Sequence, residues 1–549
     1  MDSRAREVIK QGGRLFSKKQ AVDSLWQEIA ENFYPERADF TRVRFQGDEF
    51  ADHLYSSYPT VARRELGNLV TSSLRPRNDK WFTLHVGNEA LDATDSVRAY
   101  LEHVETVQWR AMYQSSTGFV RATKQADHDF VSFGNAVIKF GPNVKGNGLL
   151  FRNYHLRDCA WSENSEGKID VIYRKWKPTA RQLVEYFPNT VSEETKRLAK
   201  KEPEATVECL HCVLPARSYD YTGQMGKKYP FVSLYVEKGK EKVLEEVGQN
   251  YFCYVVPRWH TIADSAYAVS MATALMLPDG RTMQVMTRTL REAGEKYVDP
   301  PMIAVGDAIR GDIALYAGGV TTADIEYDER LGDVLRPINQ KQSGMPIGLE
   351  LQSALRDDIR SGFFLDKIQF PETGQEMTAY EVRNRLREHI RNAAPIFEPI
   401  EQEYNDPLCE GILRVMQDQG AFPAEQMPEE LSGAEVSFQF RSPMAEMAEQ
   451  QDAETFLDVR DRILLPTAQL DEAQTAQVNW DVALRDAMRS AGFKAKWFNP
   501  IEAVGEKRQA QAELEQKQAQ IEAMGEAGAA TAQAAQGAQA MAALEQDSK

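Results

Sequence analysis

Two amphipathic patterns flanking a Pro- and Gly-punctuated insertion, between Asp279 and Phe363, constrain this chain most. In the first, Met283, Met286, Leu290, Ala293 and Tyr297 recur at spacings of 3, 4, 3 and 4, with Arg281, Gln284, Arg288, Arg291 and Glu295 on the opposite side. In the second, Ile347, Leu351, Leu355, Ile359 and Phe363 fall every fourth residue, while Gln352, Arg356, Asp358 and Arg360 turn away. The insertion opens with Asp299-Pro300-Pro301 and carries short apolar runs from Met302 to Val305 and from Ile313 to Tyr316. Helix, small module and returning helix predict a projecting stalk. Two ordinary core helices joined by a long loop are the plain alternative.

The rest of the chain changes in texture. Leu25, Trp26, Ile29 and Phe33 predict a helix over Leu15 to Phe33; Val61, Leu66, Leu69, Val70 and Leu74 predict a second, Val97 to Val107 a third, and Phe119 to Phe133 a fourth ending at Gly134. Short β-rich runs follow: Ala136 to Phe140, Leu149 to Tyr154, Ile169 to Trp176, Thr206 to Leu214, Phe231 to Val236 and Tyr251 to Val256. A helix interrupts them at Thr179 to Phe187, with Pro178 suiting its first turn. Past the second stalk pattern, Leu386, Ile390, Phe397, Ile400, Tyr404, Leu408 and Ile412 make one stripe over Met377 to Gln419, roughly 60 Å if continuous. Pro395, Pro399 and Pro407 predict bends or breaks in it. A strand at Val436 to Phe440 precedes helices around Glu446 to Ile463 and Asp471 to Arg489, and an Ala/Gln/Glu-rich tail begins near Glu506. The fold class is α+β, predominantly helical.

At 549 residues the chain has room for several domains. Its longest uncharged apolar window near the stalk, Ser265 to Pro278, has 14 residues, fewer than the roughly 20 of a membrane-spanning helix. Charges throughout Met1 to Lys19 leave no secretory apolar core, so cytoplasmic synthesis and assembly are expected. Five cysteines in a chain this long argue against a disulfide framework. Of the net charge of −17, the stretch from Glu398 to Glu472 contributes −14, with 18 acidic residues against 4 basic. A protein that grips duplex DNA concentrates basic residues instead. An acidic surface can still face DNA when the task is to let it pass rather than to hold it, since like charge discourages sticking.

Catalytic signatures are weak. Cys209-Leu210-His211-Cys212 is half a zinc site, and on a strand its two cysteines face opposite ways. Gly223 to Lys228 has the wrong glycine spacing for a phosphate loop and reads as a β-turn. Asp357-Asp358 and Glu429-Glu430 diverge around a helix and read as solvated surface. The sequence calls for no catalytic residue, metal or cofactor. The polar segment Lys367 to Thr378 is a helix connection that could hang into a pore, offering Lys367, Gln369, Glu372, Thr373, Gln375 and Glu376 to whatever passes.

Several short marks occur in order. They are Leu66, Leu69, Leu74, Pro76, Trp81, Phe82 and Leu84; Phe130 with Phe133-Gly134-Asn135-Ala136; Asp299-Pro300-Pro301; Met377-Thr378-Ala379; Asp406-Pro407-Leu408; and Ser442-Pro443-Met444-Ala445. In this order the chain, from about residue 14 to about residue 500, resembles the portal, or head-to-tail connecting, proteins of short-tailed bacteriophages. It departs at Asp264 to Tyr267, where many relatives carry a Y-G-R-type turn.

The resemblance implies a virion protein that forms a ring of twelve copies around a channel for double-stranded DNA. Its partners would be the large terminase motor, a tail adaptor, and the major capsid and scaffolding proteins, with no membrane. The implied regions are a wing (1–264 and 379–441), stem segments (265–298 and 346–368), a clip (299–345), a tunnel loop (369–378), a crown (442–505) and a tail (506–549). Arg281, Gln284, Arg288 and Arg291 would face the channel, intersubunit ion pairs being an equally good account of the three arginines; Asp299, Pro300, Pro301 and Met302 would dock motor or adaptor. Met283, Met286, Leu290, Ile347, Leu351 and Leu355 would pack between copies. Twelve copies at −17 would carry roughly −204, a field in which DNA slides rather than adheres. The rivals are a nucleic-acid processing enzyme, disfavoured by the missing nucleotide loop, and another ring, adaptor or core component.

Overall fold

Gly134 marks the first turning point of the chain. The helix Phe119–Phe133 ends on it with φ of 71°, and a Cβ there would lie 2.3 Å from the backbone carbon of Val269. Only glycine meets both demands, left-handed backbone and close approach. In the computed structural model the described residues are 3–304 apart from 46, 50, 52, 78, 79, 93, 144, 220–222; 309, 312–313, 322, 335–337, 344–368; 400–440 apart from 424, 426 and 432; and 456–461, 479–490, 497 with parts of 504–517. Two compact units result, one of residues 1–83, 104–425 and 438–444, the other of 84–103, 426–437 and 445–549.

In chain order the helices before the sheets are α1 Ser3–Lys18, α2 Gln20–Phe33, α3 Tyr58–Leu74, α4 Glu89–Asp92, α5 Asp95–Met112 and α6 Phe119–Phe133, with strand β1 Phe82–Val86 between α3 and α4. The single helix expected over Leu15 to Phe33 is two, because the chain starts its first helix at Ser3 and breaks near Lys19. Lys19 is fully buried there, donating to the Leu156 carbonyl at 2.5 Å and pairing with Asp23 at 3.0 Å. Trp26, Phe33, Phe40, Phe133 and Trp161 share one aromatic core, with Trp26 and Phe40 ring centres 5.6 Å apart. Each such side chain removes a large apolar area from water.

Two antiparallel sheets follow. Strands β2 Ile138–Pro142, β3 Leu149–Asn153 and β9 Tyr254–Val255 pair in the order β3-β2-β9. Strands β4 Cys159–Glu163, β5 Ile169–Trp176, β6 Cys209–Pro215, β7 Phe231–Glu237 and β8 Lys242–Gln249 form a sequential five-stranded meander. One face of the meander packs Tyr173, Cys212, Leu214 and Val232 against Ala5 and Val8 of α1, while Cys209 joins Leu183, Val191 and Leu244 in a separate cluster. The two cysteines therefore point to opposite faces, as strand periodicity requires.

Helices α7 Ala180–Tyr186 and α8 Glu193–Lys201 cross over between β5 and β6. Thr179, not Pro178 in the first turn, starts α7 through a reciprocal capping box with Gln182. Between β6 and β7 lie α9 Ala216–Tyr219 and α10 Gln224–Lys228. The turn expected at Gly223 to Lys228 is thus a helical turn entered from Gly223.

The stalk patterns become α11 Leu277–Val298 and α12 Gly344–Gly362, followed by α13 Leu365–Ile368; of the insertion, β10 Met302–Ala304 and β11 Leu335–Pro337 pair antiparallel. Apart from residues 309, 312, 313 and 322, the remainder of the insertion, the tunnel-loop stretch 369–378, the upstream part of the long helix with Pro395 and Pro399, most of the helices expected at Glu446 to Ile463 and Asp471 to Arg489, and the tail beyond 517 lie outside the described residues. Where the long helix is described, residues Glu401–Asn405 wind as a π-helix and give way to α14 Asp406–Asp418, with Pro407 in its first turn. The expected break at Pro407 is this change of winding.

Strand β12 Val436–Phe440 pairs with β1, placing the Phe438 ring edge-on to Phe82 at 5.7 Å. In the second unit, Arg98 donates to the Leu84 carbonyl at 2.6 Å and His85 contacts Asp92 at 3.0 Å; helix α15 Trp480–Ser490 is its longest described C-terminal element.

Candidate functional site

Helices α11 and α12 pack side by side at glycine. A Cβ on Gly348 would sit 2.7 Å from Leu290 Cδ2, and Gln352 donates to Thr287 Oγ1 at 2.9 Å. Toward one end the pair is rooted in the core: Leu277, Met283, Ile359 and Phe363 are buried there, with Phe33 and Phe363 ring centres 5.4 Å apart. Toward the other end the apolar side chains lose their cover. Val298 is 83% exposed, Ile347 58% and Leu351 53%.

This gradient divides the residues expected to pack between copies. Met283 is fully buried in its own protomer and cannot serve that role. Leu355 is half-buried against the same core, and Met286 and Leu290 are half-buried along the helix pair. Ile347 and Leu351 stand uncovered.

The expected channel face divides as well. Gln284 is a correction: its Oε1 accepts from the Tyr55 and Ser56 amides, both at 2.8 Å, and its Nε2 donates to the Ser56 carbonyl at 2.9 Å. A loop crossing beside a helix needs its backbone groups paired, and one amide side chain pairs three of them. Arg281, Arg288 and Arg291 are exposed. Arg281 pairs with Glu28 of α2, and Arg288 with Glu292 at 2.8 Å while its Cζ lies 5.5 Å from the Tyr55 ring centre. Arg291 lines a cleft of about 380 Å³ with Tyr55, Ser56, Tyr58, Thr287 and Arg356.

At the insertion, the Asp299 amide closes α11 on the Glu295 carbonyl at 2.8 Å; Asp299 and Pro301 are exposed, Pro300 is half-buried, and Met302 opens β10 opposite Pro337. Lys367 belongs to α13, but its side chain, with Gln369, Glu372, Thr373, Gln375 and Glu376, lies outside the described residues.

Sequence reasoning missed the buried ion pairs that hold the scaffold of this region. Arg75, at the end of α3, pairs with Asp127 of α6, donates to Asn405 Oδ1 at 2.7 Å and lies 4.4 Å from the Tyr404 ring centre. Burial, the largest single influence, would lower its pKa, but Asp127 together with Tyr404 and Tyr113 outweighs this and the net direction is upward. Arg258 grips both oxygens of Glu403 at 3.0 and 2.8 Å and reaches Glu163 at 2.8 Å. The π-helical segment is thus clamped from the end of α3 and from the segment after β9, where Arg258 also reaches Glu163 of the meander. No spacing rule could have found partners this distant in sequence. On α6, burial and the adjacent Arg63 push the His128 imidazole down to about 4, and Arg63 donates to its Nδ1 at 3.1 Å.

Among the described residues no cluster of His, Cys, Asp and Glu could hold a metal ion, and no helix is long and apolar enough to cross a membrane. The helix pair is thus rooted in the core at one end and carries exposed apolar side chains at the other, a surface of the kind that marks protein–protein contact. The family model described as bacteriophage head to tail connecting protein matches residues 5–498, and the chain belongs to that family. It is similar to a probable portal protein of Bordetella phage BPP-1, 23% identical over 80% of this chain and 79% of the relative. It is also similar to the portal protein of Salmonella phage epsilon15, 23% identical over 96% of this chain and 94% of the relative. Family and relatives together support a phage portal function, structural rather than enzymatic, in the virion.

Proposed function

We propose that twelve copies of this chain close into a ring at one capsid vertex, around a channel through which double-stranded DNA is packaged and later ejected. The uncovered apolar flank of α11 and α12 carries this reading. Ile347, Leu351 and Val298 are large, clustered on one helix pair and exposed in the single protomer, which neighbouring copies would relieve. Residues 265–298 and 346–368 would form the stem, 299–345 the clip, 369–378 the tunnel loop, 442–505 the crown, and the remaining residues to 441 the wing.

Asp299, Pro300, Pro301 and Met302 would meet first the large terminase motor and then the tail adaptor; capsid and scaffolding proteins would surround the ring during assembly in the host cytoplasm. Arg281 and Arg288, with Lys367, Gln369, Glu372, Thr373, Gln375 and Glu376, would line or overhang the bore. The high net negative charge favours sliding over gripping. Translocation energy would come from the separate motor. Negative-stain and cryo-electron microscopy of the purified chain test this. A funnel-shaped ring with an open bore is expected; a monomer at high concentration overturns it, and robust ATP or DNA hydrolysis by the chain overturns its passive role.

A further inference from the structure

Five arginines lie on α11 and α12, and three of them are matched within the chain. Arg281 pairs with Glu28, Arg288 with Glu292, and Arg360 with Asp366 at 2.6 Å. Among the described residues, Arg291 and Arg356 have no carboxylate partner; Arg356 has the Tyr58 ring, its centre 5.8 Å from Cζ. These two line the same cleft of about 380 Å³. Its other wall offers Tyr55, Ser56 and Tyr58, the last donating to the Arg356 carbonyl at 3.1 Å. Two guanidinium groups and a hydroxyl-bearing wall suit a carboxylate or phosphate.

The helix geometry selects the carboxylate. Asp358 is exposed and lies two residues past Arg356, about 3 Å along the axis and about 200° around it. Ile347 and Leu351 fall within about 20° of Asp358 on the same wheel, so the acid ends an uncovered apolar stripe. Such a stripe requires a protein surface, which a DNA backbone does not provide. In a cyclic assembly each copy presents one flank to its neighbour's opposite flank, and rotation about an axis along the helix keeps every residue at its own height. With the ring axis along α12 and these two faces as its lateral flanks, an arginine and an aspartate at one height meet in every interface.

We propose that Asp358 of one copy seats in the Arg291–Arg356 cleft of the next, while Ile347 and Leu351 cover the adjacent surface. The proposal rests on the ring reading above.

Sedimentation velocity on the full chain across a concentration series tests it. Arg356→Glu and Asp358→Arg, each alone, should raise the concentration needed for ring formation at least tenfold. Combined in one chain, they should bring it back to within about threefold of wild type. Thermal unfolding checks that each variant folds, and Arg356→Gln, expected to be intermediate, replaces any reversal that does not. Singles that assemble like wild type, or a folded combination that restores nothing, overturn the pairing while leaving the ring intact. Normal assembly with lost binding of a short DNA duplex would assign the cleft to phosphate and overturn it as well. A wild-type chain that forms no ring fails the ring reading itself.

Discussion

Asn405 accepts a 2.7 Å hydrogen bond from Arg75, which lies 330 positions earlier in the chain. That bond and the adjoining Asp127 pair tie the end of α3, the middle of α6 and the π-helical segment into one buried knot.

Arg75→Ala leaves Asp127 buried with its cation gone, and removing one partner of a buried pair costs about 3–5 kcal/mol. Replacing both members, as in Arg75→Met with Asp127→Leu, should cost distinctly less, because no uncompensated charge remains. Denaturant titration of the three proteins gives the comparison. Equal losses in the single and paired variants would refute the account.

His128 makes stability depend on acid. Its folded pKa of about 4 lies below the ordinary 6.5, so between those values the unfolded chain holds a proton that the folded chain does not. Stability from this group is therefore complete above about pH 6.5 and declines as the pH falls toward 4. His128→Gln, which cannot titrate, should show a shallower fall of Tm over that window than wild type. Parallel Tm curves would count against it.

Gly134→Ala should be among the most damaging single-methyl changes. It combines a left-handed backbone with a Cβ contact at 2.3 Å to Val269. Backbone strain alone is worth about 1–2 kcal/mol, and displacing the Val269 backbone adds to it. Gly13→Ala, where an added Cβ meets nothing within 4 Å, is the control expected to be neutral or slightly stabilising.

Ile347→Ser with Leu351→Ser should leave the Tm of the dilute protomer nearly unchanged, since both side chains are more than half exposed. Ring formation followed by native mass spectrometry should weaken by tenfold or more. Met283→Ser, buried in the protomer core, should do the reverse and lower Tm by an amount equivalent to about 2–5 kcal/mol.

Periodicity made much of this legible. The expected strands at Ile169 to Trp176 and Val436 to Phe440 and the helix at Phe119 to Phe133 have the expected limits, because apolar spacing and a terminal glycine act locally. Strand β8 was not legible: Lys242, Glu245 and Glu246 give it the texture of a loop, and its place at the sheet edge tolerates them. Helix α8 hides for a similar reason, its Glu- and Lys-rich surface leaving only Thr195 buried. In the stalk pattern the helices were legible but their surroundings were not. Met283 and Leu290 belong to one stripe, yet the first is sealed in the core and the second packs on Gly348. Gln284 sits beside that stripe and turns inward because a loop over 200 residues away in sequence needs its amide.

The π-helical winding of residues 401–405 fixes a direction. Removing one residue there would let the backbone close into an ordinary α-helix, rotating whatever enters at Ile400 by about 100° relative to α14. Arg75 on Asn405 and Arg258 on Glu403 could not then both keep their grip. The two arginines thereby hold the winding of residues 401–405 in place, and a one-residue slip would have to break the Arg75 hydrogen bond or the Arg258 ion pair before it could spread.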